Sequence, residues 1–464
     1  MHPADQLPPT APRPLPRSLG VLGILFLTLS AITPAASMFI TVPDLLQAAG
    51  TGVLWAMLIA GIVCVATAYV YAELSSAWPV AGGEYVMVAR TLGPLAGFII
   101  LGVNAVNSLI FPAVVGLGLS NVLATILPGL PPVPVAVATV VACTLVSILH
   151  IRLNAWVTGV FLAVELAALL ILFALGVAEP ARGLAPLLLH PISASGPVSA
   201  SAVGLAATVA LFALNGYGGA VYFSEEMHAP EKGIARVVLL SLVITLAVEI
   251  VPLAAVLVGA PDLRTLFAAR DPLDLFVAVR GGALLSDCVA LGVAIAIINA
   301  AIANILAISR FFYSTGRDGV WGRRADAWMI AIHPRFHSPW IATLLVGGIG
   351  VAACFIRLEI LLVLSGAGLA VIYLGIALAA IVGRRSGATA HAPYRMPLFP
   401  LAPLVTVAAI LYVFWTSWSD LETGRPGLIA TAAQILLSAA YYLFVQRRRG
   451  EWVVRDPFEE PAVA

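Results

Sequence analysis

Apolar residues run along this chain in long blocks punctuated by Gly, Pro and charge. The blocks occupy residues 20–47, 50–77, 92–125, 132–150, 154–176, 198–223, 234–259, 282–313, 338–356, 359–383, 398–420 and 425–447. A helix needs roughly 20 apolar residues to cross the hydrocarbon core of a bilayer. The pattern therefore predicts an all-α membrane protein with about twelve transmembrane helices. Several blocks exceed the required length and are expected to tilt or to be interrupted.

Two blocks have unusual interiors. The first reads Ser30-Ala-Ile-Thr-Pro-Ala-Ala-Ser-Met-Phe39, and Pro34 in mid-span removes a backbone donor and clashes with the preceding turn. The sixth reads Phe212-Ala-Leu-Asn-Gly-Tyr-Gly-Gly219. Freed backbone groups at membrane depth are tolerated only where protein or a watery cavity satisfies them. Interrupted spans in corresponding positions of two halves point to the binding site of a transporter built from inverted repeats. The competing reading is a proline kink and a small-residue packing face.

Composition agrees with the spans. The chain is 61% hydrophobic and 10% charged, against roughly 25% charged in soluble domains. If the N-terminus is cytoplasmic, 18 of the 24 Lys and Arg fall in the tails and even-numbered loops, and six on the other side. That asymmetry supports both the helix count and an orientation with both termini in the cytoplasm. Residues 1–17 are proline-rich, lack the order of a cleaved signal peptide, and are expected to form a disordered cytoplasmic tail. Residues 448–464 are expected to form the other tail. A net charge of +1 gives no nucleic-acid footprint. Cys64, Cys143, Cys288 and Cys354 show no paired spacing. His333 and His337 are four apart, but Pro334 and Pro339 break any helix that would align them as metal ligands. There is no phosphate-binding loop, so ATP-driven transport is not supported. No cofactor is expected, nor is enzymatic activity, since the spans carry no nucleophile with a base and no metal cluster.

Ionisable and amide side chains inside the spans are the candidates for function. Glu165 sits midway along the fifth block and Glu249 lies in the seventh. Asn104, Asn107 and Phe111 share one face of the third at spacings of three and four, and Asn299 and Asn304 lie in the eighth. The amides have a structural alternative as interhelical hydrogen-bond partners. Glu73, Glu225, Glu226, Arg310 and Arg317 cluster near the cytoplasmic ends and are expected to form an inner gate of salt bridges, with solvated helix ends as the alternative.

Four segments carry a family resemblance. They are Tyr71-Ala-Glu-Leu-Ser-Ser-Ala-Trp-Pro-Val-Ala-Gly-Gly-Glu-Tyr85, Glu225-Glu-Met-His-Ala-Pro-Glu-Lys-Gly-Ile-Ala-Arg236, Ser309-Arg-Phe-Phe-Tyr-Ser-Thr-Gly-Arg-Asp-Gly319 and Ala392-Pro-Tyr-Arg-Met-Pro-Leu-Phe-Pro400. In this order and on one expected face they resemble the amino acid–polyamine–organocation permeases, from about residue 18 to about 400. The resemblance implies a five-plus-five inverted repeat (LeuT-like) plus two C-terminal helices. Its halves are expected at 18–176 and 198–383, with the extra pair at 398–447.

The resemblance also implies a substrate site between the broken first and sixth helices, where half-helix ends suit a carboxylate and an ammonium. Thr33, Ala35, Ala36 and Ser37 fall where the family usually has Gly-Ser-Gly, so side chains stand where glycine lets the backbone approach. Gly216-Tyr217 is followed by Gly218 where the family often has an acid, which argues against a dication. Asn215 offers neutral contacts, and Phe212 and Tyr217 are candidate covers. Glu165 falls where many members have a lysine, near the sodium site of related transporters, and is the candidate ion-coupling residue, with a sodium ligand or a neutral, hydrogen-bonded structural Glu as the alternatives. The expected function is proton-coupled import of an amino acid or small monoamine across a prokaryote-type plasma (inner) membrane. The expected partners are the solute, protons and membrane lipid. The alternatives are an exchanger, a sodium symporter, or a membrane sensor.

Overall fold

Backbone groups in lipid have to be satisfied within the protein, which favours helices, and the computed structural model of this chain is helical through every apolar block. It describes residues 15–126, 129–194, 196–450 and 452–455. In chain order the helices are α1 (Val21–Ile32), α2 (Pro34–Ala49), α3 (Val53–Ala77), α4 (Glu84–Leu92), α5 (Pro94–Ile126), α6 (Pro132–Ser147), α7 (Ile151–Ala178), α8 (Leu184–Leu189), α9 (Ala200–Ala213), α10 (Pro230–Gly259), α11 (Leu263–Ala268), α12 (Pro272–Gly281), α13 (Ala283–Arg317), α14 (Arg323–Met329), α15 (Trp340–Ala353), α16 (Leu358–Ser386), α17 (Leu401–Ser419) and α18 (Gly424–Tyr441). A two-residue ribbon pairs β1 (Ile192–Ser193) with β2 (Gly196–Pro197).

Nine helical stretches among the described residues are long and apolar enough to cross a membrane, and the first runs 57 residues from Val21 to Ala77. A straight helix of that length would measure about 85 Å, nearly three times the hydrocarbon thickness. It is two crossings, separated by a 3-10 turn at Gly50–Gly52 where Gly50 has φ +51°. With the shorter apolar helices α6 and α15, the described residues make twelve crossings. The most enclosed span is α13, with 78% of its apolar window buried, and the least is the last, at 6%. This separates a packed centre (α1, α5, α10 and α13) from a periphery in which Leu436, Leu437 and Phe444 point outward.

The segment between the second and third spans is not an exposed loop. Trp78–Val88 is buried throughout. The chain turns at Gly93 (φ +97°), and α4 and α5 pack together as a hairpin. A Cβ on Gly83 would stand 2.9 Å from the Tyr222 ring. The short, glycine-rich composition that reads as a loop therefore reflects tight packing against the sixth span.

Both expected breaks are present. Thr33 ends α1 in the left-handed region at φ +51°, and Pro34 opens α2, where its missing N–H costs nothing. The sixth span runs as α9 to Ala213, passes through Leu214–Gly216, and resumes as a 3-10 helix over Tyr217–Glu226. Gly216 has φ +116°, and a Cβ there would lie 2.8 Å from Ile32 Cγ1 and 3.3 Å from Ile32 Cα. The two breaks meet at this glycine.

Of the expected tails, residues 1–14, 451 and 456–464 lie outside the described residues. The described ends are docked on one face. The Ser18 and Leu19 amides donate to the Glu226 carbonyl, and the Val453 amide to that of Asp318.

Gly216→Ala is expected to lower the melting temperature of the purified protein. A left-handed backbone costs a side-chain-bearing residue about 1–2 kcal/mol, and the contact with Ile32 adds to that. Gly219→Ala, where no atom lies within 4 Å of the added Cβ, is the control and should melt like the parent. Equal melting of the two variants in detergent would show that the breaks are not in contact.

Candidate functional site

Each break frees backbone groups, and named side chains take them up. Glu165 of α7 accepts the Ala35 N–H at the start of α2 through Oε1 at 2.9 Å. A carboxylate suits the partial positive charge of a helix N-terminus. Ser37 of α2 donates to the Ala213 carbonyl at the end of α9 at 3.1 Å and approaches Glu249 Oε2 of α10 at 3.5 Å. Asn215 Oδ1 accepts from the Gly216 N–H at 2.5 Å and from the Tyr373 hydroxyl of α16. Asn304 of α13 donates to the Ala31 carbonyl at 3.1 Å, one residue before the end of α1. Glu165 Oε2, Glu249 Oε1 and both amide atoms of Asn299 are buried and find no hydrogen-bond partner among the described residues.

A cavity of about 200 Å³ opens beside the breaks. Its walls come from Ala31, from Tyr71 and Glu84, from Asn104, Asn107 and Phe111, from Asn215, Gly216, Gly218 and Tyr222, and from Asn304 and Tyr373. Ala31 and Asn104 each lie about ten residues in from the start of their span, roughly 15 Å at 1.5 Å per residue. That is half of a hydrocarbon core of about 30 Å, so the cavity is at mid-membrane. Ligand pockets commonly run from about 300 to 1,000 Å³, so this one suits a small metabolite.

Of the expected site residues, Asn104, Asn107, Asn215, Gly216 and Gly218 line the cavity together. Thr33, Ala35, Ala36 and Ser37 do not line it. They lie beyond the break, where Ala35 and Ser37 make the contacts above and Thr33 Oγ1 is 3.4 Å from the Ala296 carbonyl. Phe212 and Tyr217 line a separate void of about 20 Å³ with Cys64 and Thr67. The sequence reading missed Glu84, Tyr71, Tyr222 and Tyr373. Glu84 is 4% exposed and accepts from Tyr71 at 2.9 Å, Tyr222 at 2.7 Å and Asn104 at 3.2 Å. The acid absent after Gly216-Tyr217 thus has a counterpart in the cavity wall, supplied by α4. Glu84 and Tyr71 stood in the first family-like segment, which was the available signal.

The expected gate residues Glu73, Glu225 and Arg310 do not contact one another. Each anchors its own ion pair on the terminal face. Glu73 of α3 takes Arg384 of α16 bidentately, with both oxygens at 2.6 Å, and accepts the Met396 N–H at 2.8 Å. Arg310 of α13 forks onto Glu226 with no exposure on its side chain. Glu225 joins Arg317 at 2.7 Å to the Ala81 N–H at 2.9 Å. Asp318, just past the end of α13, accepts from Tyr85 at 2.8 Å and from the Arg455 amide at 3.2 Å. Burial pushes its carboxyl up to about 6, with Arg317 acting in the opposite direction. His333 Nδ1 accepts the Arg335 and Phe336 amides. Among the described residues no three His, Cys, Asp or Glu gather as metal ligands.

Comparison with known proteins places this geometry in context. The sequence model of the family described as amino acid permease matches residues 19–441. An uncharacterized transporter of Mycobacterium tuberculosis is 32% identical over 357 residues, covering 74% of this chain and 75% of that protein. Two proteins of Bacillus subtilis, a methylthioribose transporter at 24% identity and a branched-chain amino acid permease at 22%, each cover 83% of this chain and 85% of their own length.

Arg310→Met is expected to cut the yield of folded protein sharply, because it strands Glu226 as a buried charge. Breaking one side of a buried pair costs roughly 3–5 kcal/mol, whereas replacing both partners by apolar groups is often near neutral. The double variant Arg310→Met/Glu226→Met should therefore recover much of the monodisperse peak on size exclusion. A single variant as well behaved as the parent would show that the pair is solvated.

Proposed function

The chain belongs to the amino acid permease family, within the amino acid–polyamine–organocation superfamily, and from that footing we propose that it imports an amino acid or small amine by proton symport. The coarser statement, a multi-pass membrane transporter of this family, rests on the family match and on the transporters it resembles. The finer one rests chiefly on one observation: a buried carboxylate, Glu165, holds the amide at the start of a broken half-helix.

That placement supports a coupling mechanism. Ionised Glu165 ties α2 to α7 through a charge-assisted bond to a helix N-terminus. Protonation removes the charge and weakens the tie. Proton occupancy then biases the position of α2 relative to α7, which differential binding to two states requires. The first and sixth spans serve as the moving elements of two inverted halves, 18–176 and 198–383, around a fixed mid-membrane site. The ion pairs Glu73–Arg384, Glu225–Arg317 and Glu226–Arg310 serve as the inner gate. On this reading the terminal face is cytoplasmic, which the distribution of Lys and Arg supports, and the membrane is the plasma membrane.

The test is uptake of labelled amino acids and amines into proteoliposomes under an inward proton gradient, an inward sodium gradient, or no gradient. The proposal expects accumulation driven by protons, and expects Glu165→Gln to transport without response to the proton gradient. A Glu165→Gln variant that still responds fully would refute the coupling role. Accumulation driven by sodium alone would make the protein a sodium symporter. Swapping only in preloaded vesicles would make it an exchanger.

A further inference from the structure

The buried carboxylates Glu73, Glu225, Glu226 and Asp318 of the terminal face each have an arginine: Glu73 has Arg384, Glu225 and Asp318 share Arg317, and Glu226 has Arg310. Glu84, like Glu165 and Glu249, is buried without an arginine, and of these three it is the one that lines the cavity, where its partners are two phenols and an amide, all neutral. Among the described residues it makes no ion pair. We propose that Glu84 is the cation subsite of the cavity, and that the transported solute is a small linear molecule with a terminal primary ammonium. This rests on the transport reading above and names its substrate class.

Three observations carry the inference. A carboxylate offers about four acceptor positions. Tyr71 occupies one on Oε1, and Tyr222 and Asn104 occupy two on Oε2. These three neutral donors hold the group in place and leave it without a counter-charge. The electrostatics favour a cation beside it, because a buried carboxylate without a counter-charge costs several kcal/mol. Tyr71, Tyr222 and Tyr373 line the same cavity, and aromatic faces attract ammonium groups. Lastly, the wall also offers neutral polar contacts. Asn107 lines the cavity with neither amide atom hydrogen-bonded among the described residues. Such a wall suits the uncharged or zwitterionic remainder of the solute. A cationic amino acid and a linear diamine share this chemistry, and the choice between them is left to the assay.

The experiment uses the full chain in detergent and in proteoliposomes, with lysine, its uncharged isostere norleucine, and 1,4-diaminobutane as probes. Lysine or 1,4-diaminobutane should raise the melting temperature at concentrations at least tenfold lower than norleucine requires. This comparison needs only the parent protein, so it stands even if Glu84 variants fold poorly. Glu84→Gln should raise the half-saturating concentration for the cationic probe at least tenfold more than it raises that for norleucine. Glu84→Asp should lie between. Stabilisation by the cation without uptake under any gradient would sink the transport reading and leave the subsite standing. Uptake of leucine or norleucine with no binding or competition by either cation overturns the subsite. So does a Glu84→Gln variant that binds the cation normally but loses its response to the proton gradient, since Glu84 would then carry a proton.

Discussion

Two helices interrupted at mid-membrane leave amides and carbonyls that lipid cannot satisfy, and much of the interior is organised around meeting that need. The Ala35 amide is taken by Glu165, the Ala213 carbonyl by Ser37, and the Gly216 amide by Asn215. These contacts draw α7, α9, α10 and α16 around one point and explain why so many polar side chains sit within apolar spans. They also fix the close approach of Gly216 to Ile32, which a straight pair of helices would not need. The cavity lies beside these contacts because the chain is locally non-helical there and residues from six spans and α4 converge.

The terminal face solves a different problem. Parting two apolar helix faces costs about 25 cal/mol for each Å² exposed to water, so a purely apolar seal would resist opening. A buried ion pair roughly breaks even between protein and water, because desolvation offsets much of the attraction. Glu73–Arg384, Glu225–Arg317 and Glu226–Arg310 join α3 to α16 and the sixth span to α13. In the proposed gate, such pairs would give specific closure without a large penalty for release. The Ala81 amide on Glu225 and the Tyr85 hydroxyl on Asp318 tie the buried hairpin of α4 to the same pairs. The hairpin that carries Glu84 is therefore mechanically joined to this face.

What was legible in the sequence was whatever period and composition encode locally. Twelve apolar blocks, Pro34, and the glycines at 216, 218 and 219 announce spans and breaks without reference to any neighbour. The spacing of Asn104, Asn107 and Phe111 announces a shared face, and all three line the cavity. Contacts between distant segments were not legible. Glu73 pairs with Arg384 across 311 positions, and nothing local to either residue selects the other. Glu84 escaped notice because Trp78–Tyr85 has the glycine, proline and charge content of an exposed loop, and only the turn at Gly93 folds it inward. Ala35, Ala36 and Ser37 were weighed as substrate contacts because the break itself was visible. Which side of the break faces the cavity depends on how α1 and α2 are rotated against α7 and α10, and the sequence carries no local signal for that.

The placement of Glu165 and Glu84 constrains how a transport cycle here can be balanced. Both are carboxylates at the depth of the breaks, and uncompensated charge at that depth is expensive. A proton on Glu165 and an ammonium beside Glu84 would each remove one negative charge, so the fully loaded form would be relieved of the burden of these two acids. A half-loaded interior would keep one carboxylate unpaired in a low-dielectric setting, where its interactions with neighbouring groups are strengthened several-fold relative to water. On the proposed mechanism, the energetic gap between half-loaded and fully loaded forms would tighten coupling, because the form with both of these charges neutralised would rearrange without stranding either of them. The same logic explains why the two acids have different partners. Glu165 is held by the backbone amide of Ala35 at the start of the half-helix α2, whereas Glu84 is held by side chains of the wall.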